Sequence, residues 1–290
     1  MVATLSAPPA PIPAEIAALI QTALDEDAPE GDLTSDLVVP ADARCTAELR
    51  AKATGVLSGR GVATEVFQAV ARQDAAGPVE IVWKTQDGAR VAPGEVLAVV
   101  RGPARTVLRA ERVALNLLSH LSGVATLTSA FVEAAAPARV LCTRKTTPGL
   151  RNLEREAVAA AGGTLHRASL SDAVLVKDNH LRVAGGVAEA VRRARLGGVP
   201  VEVEVETLEQ LDEALASGAD RILLDNPTPE LVGLALQRIG DAERLEISGG
   251  VALDTVGEFV RAGARVVSVG RLTHSAPALD LSLEIVDASE

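Results

Sequence analysis

The sequence predicts an α/β protein that consists of a (β/α) barrel and a smaller α+β domain before it. Beyond Pro137, short β-branched runs alternate with helical patterns, which is typical of a parallel sheet covered by helices. The last four strands of this series start 20 to 23 residues apart. So short and regular a repeat favours a barrel over an elaborated doubly wound sheet.

The first part of the chain has a different pattern. Residues Met1–Ala14 contain four prolines and no basic stretch, so we interpret them as a mobile leader and not as a signal peptide. Short alternating runs between Gly and Pro turns, among them Glu80–Lys84 and Val96–Val100, predict strands of the α+β domain. Apolar residues at helical spacing predict helices at Ala14–Leu24 and Val62–Ala71, and one or two long helices over Thr106–Ala135.

Six barrel strands are visible in the second part. Their predicted bounds are Arg139–Cys142, Ala173–Lys177, Pro200–Val205, Arg221–Leu224, Arg244–Ser248 and Ala264–Ser268. The helices predicted between the later strands are Leu208–Ser217, Pro229–Gln237 and Leu253–Ala262. A complete barrel has eight strands, so one or two further strands are expected near Gly163–Arg167.

Composition excludes several classes of partner. The 290-residue chain has 28 basic and 39 acidic residues, a net charge of −11, three Phe, one Trp and no Tyr. It therefore lacks the basic surface and the stacking side chains that nucleic acids require, and an anionic membrane would repel it. Residues 144–182 nevertheless hold seven Lys or Arg against four acids. This cluster indicates a cationic pocket for a small anion.

Cysteine usage and hydropathy suggest the compartment. Cys45 and Cys142 offer neither a disulfide framework nor metal-ligand spacing, as is usual in a reducing compartment. No uninterrupted apolar run approaches the ~18 residues of a membrane span. We therefore expect a cytoplasmic protein.

The expected chemistry lies at the carboxyl ends of the barrel strands, where barrels place their functional groups. Every predicted strand ends in, or is followed by, a charged residue or a Gly-rich turn. These residues are Thr143, Arg144, Lys145, Lys177, Glu204, Asp225, Ser248, Gly249, Gly250 and Gly270. Two of the chain's four lysines are among them. Lys beside Arg suits a pocket that receives both a phosphate and a carboxylate.

Two glycine-containing tripeptides predict a phosphate site. Ser-Gly-Gly at 248–250 and Ser-Val-Gly at 268–270 fit the two-loop phosphate site found late in many barrels, because glycine lets backbone N–H groups approach an anion. Among the histidines, His166 and His274 are candidate ligand contacts, and His120 is expected to be structural.

A run of acids predicts a cation or sugar contact. Glu202, Glu204 and Glu206 share one strand face by the period of two, so we expect all three to point into the barrel. Glu204 and Asp225 end adjacent strands and are suited to hold Mg2+ or the hydroxyls of a sugar.

Motifs that follow one another along the chain carry a family resemblance. They are Glu-Asp at 26–27, Gly-Asp-Leu-Thr-Ser at 31–35, Glu-Arg-Val-Ala-Leu-Asn at 111–116, Ser-Gly-Val-Ala-Thr at 122–126, Thr-Arg-Lys-Thr-Thr-Pro-Gly-Leu-Arg at 143–151, His-Arg at 166–167, Val-Lys-Asp-Asn-His at 176–180, Glu-Val-Glu-Val-Glu at 202–206, Leu-Asp-Asn at 224–226, Ser-Gly-Gly at 248–250 and Leu-Thr-His-Ser at 272–275. In this order they resemble the quinolinate phosphoribosyltransferase family, from about Asp25 to Leu283. Arg271 departs from it, since a small residue is more usual there.

The resemblance implies a reaction and an architecture. The reaction transfers phosphoribose from phosphoribosyl pyrophosphate to quinolinate, releases CO2 and pyrophosphate, and gives nicotinate mononucleotide for NAD synthesis. The architecture is an N-terminal α/β sandwich over residues 1–118, onto which residues 276–290 pack, and an open (β/α) barrel of about six to seven strands over residues 119–275. The expected assembly is a homodimer or a larger homo-oligomer with shared sites.

The resemblance also implies a role for each site residue. Those expected to hold quinolinate are Arg112 from the neighbouring subunit, Arg144, His166, Arg167 and Lys177. Those expected to address phosphoribosyl pyrophosphate and its Mg2+ are Lys145, Glu204, Asp225, Ser248, Gly249, Gly250, Gly270 and His274, with Thr143 as a further substrate contact. Lys145, Glu204 and Asp225 are the expected catalytic residues, and the two acids hold Mg2+ directly or through the substrate.

Three other functions fit parts of the pattern. A phosphoribosyltransferase for nicotinate or another aromatic acid would lack part of the carboxylate-binding cluster, whereas Arg112, Arg144, His166 and Arg167 are all present. A barrel lyase or aldolase would use Lys177 or Lys145 as a Schiff-base amine. A non-catalytic barrel would bind the ligand without turnover.

Overall fold

A computed structural model describes residues 13–289, so all but the last two residues of the predicted leader lie outside the described residues. The helices are α1 Ala14–Asp27, α2 Leu33–Val38, α3 Arg60–Asp74, α4 Ala104–Ala135, α5 Arg151–Ala160, α6 Asp178–Ala184, α7 Val187–Ala194, α8 Leu208–Ala216, α9 Pro229–Ile239, α10 Val256–Arg261 and α11 Arg271–His274. The strands are β1 Arg44–Ala51, β2 Gly55–Val56, β3 Glu80–Trp83, β4 Arg90–Val91, β5 Val96–Pro103, β6 Arg139–Leu141, β7 Val174–Val176, β8 Val201–Val205, β9 Arg221–Asp225, β10 Leu245–Ser248, β11 Val266–Ser268 and β12 Leu281–Ser289.

The chain divides into two compact units. Unit 1 comprises Met1–Thr126, Asn152–Ala161 and Ala276–Glu290, and unit 2 comprises Leu127–Arg151 and Gly162–Ser275. The boundary expected after residue 118 therefore falls inside α4, which continues unbroken to Ala135. The helix α5 belongs almost entirely to unit 1 although it lies between two barrel strands in the sequence.

Unit 1 contains a four-stranded antiparallel sheet with the strand order β12-β1-β5-β3. Alternate residues of β1 are buried, which is the pattern of a sheet with one covered face. Leu49, Leu57, Leu97 and Leu118 are among the apolar side chains that fill its core. The C-terminal strand β12 pairs with the whole length of β1, so the last segment of the chain completes this sheet.

The helix α4 is a 32-residue core helix. By length and composition it passes the test for a membrane span, with a mean hydropathy of 1.3 in its most apolar window, although sequence analysis found no uninterrupted apolar run of that length. More than half of that window, 56%, is buried in the fold, and Val107, Ala110 and Val124 are completely inaccessible. A helix packed on several sides is apolar around most of its circumference, which accounts for this composition.

Unit 2 contains a six-stranded parallel sheet with helices between its strands, and this confirms the predicted fold class. All six predicted strands are present within about two residues, in the order β6-β11-β10-β9-β8-β7. The order leaves the sheet open at β6 and β7. Leu141 pairs with Thr164 in an isolated parallel bridge, so the further strand expected near Gly163–Arg167 is reduced to this one bridge.

Local sequence signals set the ends of the unit 2 helices. Thr207 and Thr228 cap α8 and α9, since each hydroxyl accepts a hydrogen bond from the backbone N–H three residues on. Pro229 occupies the first turn of α9, where its missing N–H is not needed. The helix predicted from Leu253 begins instead at Val256, because Ala252 to Thr255 form a turn in which the Thr255 hydroxyl bonds the Ala252 backbone.

Candidate active site

A pocket of about 650 Å³ lies at the carboxyl ends of the unit 2 strands, a size suited to small molecules. It brings together thirteen of the fourteen predicted site residues, namely Thr143, Arg144, Lys145, His166, Arg167, Lys177, Glu204, Asp225, Ser248, Gly249, Gly250, Gly270 and His274. The fourteenth, Arg112, does not line this pocket; it is exposed on α4 in unit 1.

Two arginines place adjacent positive charges in the pocket. Burial and the neighbouring guanidinium of Arg144 lower the pKa of Arg167. Within residues 13–289, the buried Nε of Arg144 has no hydrogen-bond partner. Two guanidinium groups held together against their mutual repulsion form a binding site for an anion, and their planar forks match a carboxylate.

Arg151 donates hydrogen bonds to both loops that carry the pocket arginines. Its Nε donates to the Thr146 hydroxyl at 3.0 Å and its Nη1 donates to the Ala168 carbonyl at 3.1 Å. The first contact lies in the loop after β6 and the second in the loop that carries Arg167. Arg151 closes the longest motif quoted above, but sequence analysis gave it no role.

Lys177 forms an ion pair with Glu204. Its Nζ lies 2.5 Å from the Glu204 carboxylate, which is 12% exposed, while the Lys177 side chain is 44% exposed. The backbone N–H of Lys177 donates to His180 Nδ1, which fixes the turn into α6. Because the Nζ is engaged with a carboxylate, this contact disfavours Lys177 as a Schiff-base nucleophile.

Asp225 lies opposite Ser248 in the parallel register at the end of β9. Burial, followed by the charge of Glu204, raises the pKa of Asp225 above its ordinary value, and Lys177 and Lys145 oppose that rise. The Asn226 side chain donates to Asp225 at 2.8 Å. The carboxylates of Glu204 and Asp225 are hard-oxygen donors of the kind that Mg2+ prefers, so their chemistry fits that ion.

The two glycine loops approach the charged residues closely. Gly249 adopts a φ of +84°, and a Cβ there would come within 2.6 Å of the Asp225 carboxylate. A Cβ on Gly270 would lie 3.1 Å from Lys145 Cδ and 3.3 Å from His274 Nε2. The space that these glycines leave open is therefore part of the pocket, and the phosphate site at these loops stays a prediction.

His166 lines the pocket and also contacts two buried acids. Its Nε2 lies 3.5 Å from the carboxylates of Glu202 and Glu246, and its Nδ1 accepts a hydrogen bond from the Arg167 backbone N–H at 2.7 Å. The two carboxylates favour a proton on Nε2, which leaves Nδ1 free to accept that N–H.

The prediction that three glutamates point into the barrel was wrong for Glu206. Glu202 is buried and Glu204 lines the pocket, but Glu206 follows the last residue of β8 and is exposed. The period of two holds only as long as the strand continues, and here it ends at Val205.

Sequence analysis missed Glu246, which lines the pocket with only 1% of its side chain exposed. Its position could have been inferred, because it is the single charged residue of the apolar strand Leu245–Ser248, and a buried charge in a strand requires a partner. Arg271, the departure noted above, also lines the pocket.

The family assignment rests on both parts of the chain. The model of the quinolinate phosphoribosyltransferase N-terminal domain matches residues 32–122, and that of the C-terminal domain matches residues 124–284. The chain belongs to the quinolinate phosphoribosyltransferase family.

Similar proteins from distant organisms agree with this family. The chain is 40% identical over 270 residues to the probable nicotinate-nucleotide pyrophosphorylase [carboxylating] of Bacillus subtilis, covering 91% of each chain. It is 40% identical over 274 residues to the corresponding Mycobacterium leprae protein, covering 92% of this chain and 95% of the other.

Solved structures of the family share the fold. NadC from Streptococcus pyogenes superimposes with a TM-score of 0.88 at 37% identity over 97% of this chain and 99% of the other. The nicotinate-nucleotide pyrophosphorylase from Francisella tularensis superimposes with a TM-score of 0.87 at 33% identity over 95% and 98%. Human nicotinic acid phosphoribosyltransferase, at 14% identity and a TM-score of 0.65 over 93% and 74%, shares the fold alone.

Proposed function

We propose that this protein transfers the phosphoribosyl group from phosphoribosyl pyrophosphate to quinolinate, with loss of CO2 and pyrophosphate, and so makes nicotinate mononucleotide for NAD synthesis. The observation that carries the proposal is the pocket of unit 2, in which Arg144, Lys145, Arg167 and Lys177 surround one cavity in a chain of the quinolinate phosphoribosyltransferase family.

The charge of the pocket suits these two substrates. Quinolinate is a dianion, and placing it beside a polyphosphate costs Coulomb repulsion that a dense group of cations offsets. We assign quinolinate to Arg144, His166, Arg167 and Lys177, because guanidinium forks bind planar carboxylates. The pKa of Arg167, lowered by burial and by Arg144, supports this assignment, since a bound carboxylate would relieve that repulsion.

The phosphoribosyl pyrophosphate subsite follows from the remaining residues. The glycine loops at 248–250 and 268–270 leave room for phosphate oxygens beside Lys145 and His274. Glu204 and Asp225 would hold Mg2+ directly or through the substrate. The chemistry supplied by that ion is neutralisation of the pyrophosphate as it leaves.

The reaction itself requires no covalent nucleophile. As pyrophosphate departs, positive charge develops on the ribose ring, and the carboxylates of Glu204 and Asp225 stabilise it. The quinolinate nitrogen then bonds to the ribose carbon and becomes a pyridinium. When the adjacent carboxylate leaves as CO2, the electron pair of the broken C–C bond stays on the ring carbon beside the cationic nitrogen, and a proton from water then forms the C–H bond of nicotinate mononucleotide. Positioning of two bound substrates supplies a gain of about 7 to 11 kcal/mol.

Two further assignments belong to the proposal. Arg112 is exposed on α4, which supports its entry into the pocket of a second copy in a homodimer or larger homo-oligomer. We place the protein in the cytoplasm, an assignment supported by two buried cysteines, neither of which forms a disulfide within residues 13–289.

The experiment that tests the function is product analysis with the purified protein. Quinolinate, phosphoribosyl pyrophosphate and Mg2+ should give CO2, pyrophosphate and nicotinate mononucleotide in equal amounts. Omission of Mg2+ or replacement of quinolinate by nicotinate should abolish product. Equal turnover with nicotinate, or ligand binding without product, would support the alternative functions instead.

A further inference from the structure

A buried group of charges lies deeper in the barrel than the residues assigned to substrate. Glu202 precedes Glu204 by two residues on the same face of β8, and Glu246 lies on β10. Arg221, at the start of β9, places its guanidinium 3.6 Å from Glu202 and 4.0 Å from Glu246. Ser268 on β11 donates its hydroxyl to Glu246 at 2.5 Å. None of these four residues has a role in the proposed reaction.

The two buried carboxylates of this group are shared between Arg221 and His166. Two carboxylates, one 10% and the other 1% exposed, face the single guanidinium of Arg221. Buried carboxylates without compensation are costly. The other donor beside them is the imidazole of His166, whose Nε2 lies 3.5 Å from both carboxylates, while its Nδ1 accepts a hydrogen bond and so carries no proton. A proton on Nε2 is therefore favoured, because that nitrogen faces two acceptors.

The same three side chains offer donors for a metal ion, since one ligand atom each from His166, Glu202 and Glu246 lies within 4.8 Å of the others. Arg221 argues against this use. Its guanidinium already approaches both carboxylates and would repel a divalent cation. One Glu246 oxygen is also occupied by the Ser268 hydroxyl. An ion-pair group that acts on His166 accounts for all five residues.

His166 connects this group to the pocket. With Nε2 directed to the carboxylates, Nδ1 accepts the backbone N–H of Arg167 at 2.7 Å. The Arg167 guanidinium is fixed separately by its hydrogen bond to the Ala173 carbonyl at 3.0 Å. Rotation of the imidazole would remove the first contact and release the backbone that carries Arg167.

We propose that Glu202 and Glu246 are positioning residues, which orient His166 through Nε2 and thereby hold Arg167 in place for the aromatic dicarboxylate. Arg221 contacts both carboxylates and Ser268 donates to Glu246, and these contacts hold the two acids in position. The part that concerns substrate rests on the proposed function, whereas the orientation of His166 is independent of it.

Histidine NMR tests the orientation without any substrate. The chain has only four histidines, so 15N-histidine labelling and a His166→Gln variant assign the signal. In the wild-type protein we expect Nε2 to stay protonated from about pH 6 to pH 8.5, whereas Glu246→Gln and Glu202→Gln should each show a second tautomer within that range. Unchanged His166 signals in both variants would overturn the proposal.

Kinetics test the consequence for substrate. We expect each variant to raise KM for quinolinate about tenfold and to change kcat and KM for phosphoribosyl pyrophosphate less than about threefold. Glu154→Gln is the matched control, because Glu154 is fully buried beside His120 at 2.8 Å in unit 1; its loss should lower Tm without the selective rise in KM. An equal fall in all kinetic parameters would indicate a purely structural role.

Two outcomes separate the alternatives. Stoichiometric Mn2+ binding to the wild-type protein that is lost in Glu246→Gln while Asp225→Asn retains it would show a metal site and overturn the positioning role. If the wild-type protein fails to turn over quinolinate while the His166 signals respond as expected, the proposed function fails and the orientation of His166 stands.

Discussion

The two units of this protein use buried strand positions in opposite ways. In β1 and β5 of unit 1 the inaccessible residues include Leu49, Leu97 and Val100, and they form an apolar core. In β8 and β10 of unit 2 the buried positions include Glu202 and Glu246. Since a buried charge needs a partner, the comparison separates strands held by apolar packing from strands in which two buried positions depend on Arg221, His166 and Ser268.

The largest expected effect is a loss of activity caused by a substitution in the unit 2 pocket. Lys145→Ala should lower kcat/KM by about a thousandfold, because a positive charge beside the transferring phosphates is lost. Tm should hardly change, since the exposed Lys145 side chain makes no ion pair within residues 13–289. Steady-state kinetics and thermal unfolding measure both. The matched control is Lys84→Ala, at an exposed lysine of unit 1; equal kinetics for the two variants would remove Lys145 from the site.

The next prediction concerns shared sites. Arg112→Ala and Lys177→Ala should each be nearly inactive, but after subunit exchange a mixture should regain about a quarter of the wild-type activity, because half of the dimers are hybrids with one intact site each. Activity of the mixture, with native mass spectrometry to verify exchange, is the measurement. Verified hybrids without recovered activity would contradict the shared pocket.

A substitution in the apolar core of unit 1 should lower stability without changing the activity. Leu97→Ala removes a side chain that is 0% exposed in the unit 1 core and should lower the free energy of unfolding by about 2 to 5 kcal/mol. Denaturant titration measures this loss. Activity per folded molecule at low temperature should match the wild type. A selective change in KM would contradict the claim that the unit 1 core contributes to stability alone.

The smallest expected effect is a gain of stability. Burial and Glu204 raise the pKa of Asp225 above 3.8, so its charged form destabilises the folded state above that ordinary value, and the penalty vanishes as pH falls below it. Asp225→Asn should therefore raise Tm by about one or two degrees at neutral pH. Thermal unfolding at neutral pH and near pH 3.5 is the measurement. A lower Tm at neutral pH would show that Asp225 stabilises the fold.

The strands of unit 2 and the residues at their ends could be predicted from the sequence, because they depend on local patterns. The β-branched runs gave all six barrel strands, and the residues at their ends converge on one pocket. The strand expected near Gly163–Arg167 became a single bridge, since one pairing gives too little hydrogen bonding to extend a strand. Glu206 was placed inside the barrel because a period of two does not reveal where a strand stops.

Other features depend on contacts that are distant in the sequence. Glu246 pairs with His166, which precedes it by 80 residues, and the sequence does not show that these two residues meet. The assignment of α5 to unit 1 is also a matter of packing, because its helical pattern is the same whichever unit it contacts. The roles of the site residues rest on chemistry and remain predictions.

The central claim is that one pocket at the strand ends of unit 2 receives the dianionic pyridine. A crystal structure of the protein with quinolinate tests it most directly. We predict that the two carboxylates contact the guanidinium groups of Arg144 and Arg167 and the amine of Lys177, with the ring nitrogen directed towards the side of Asp225. Quinolinate bound elsewhere, with these side chains unoccupied, would contradict the account.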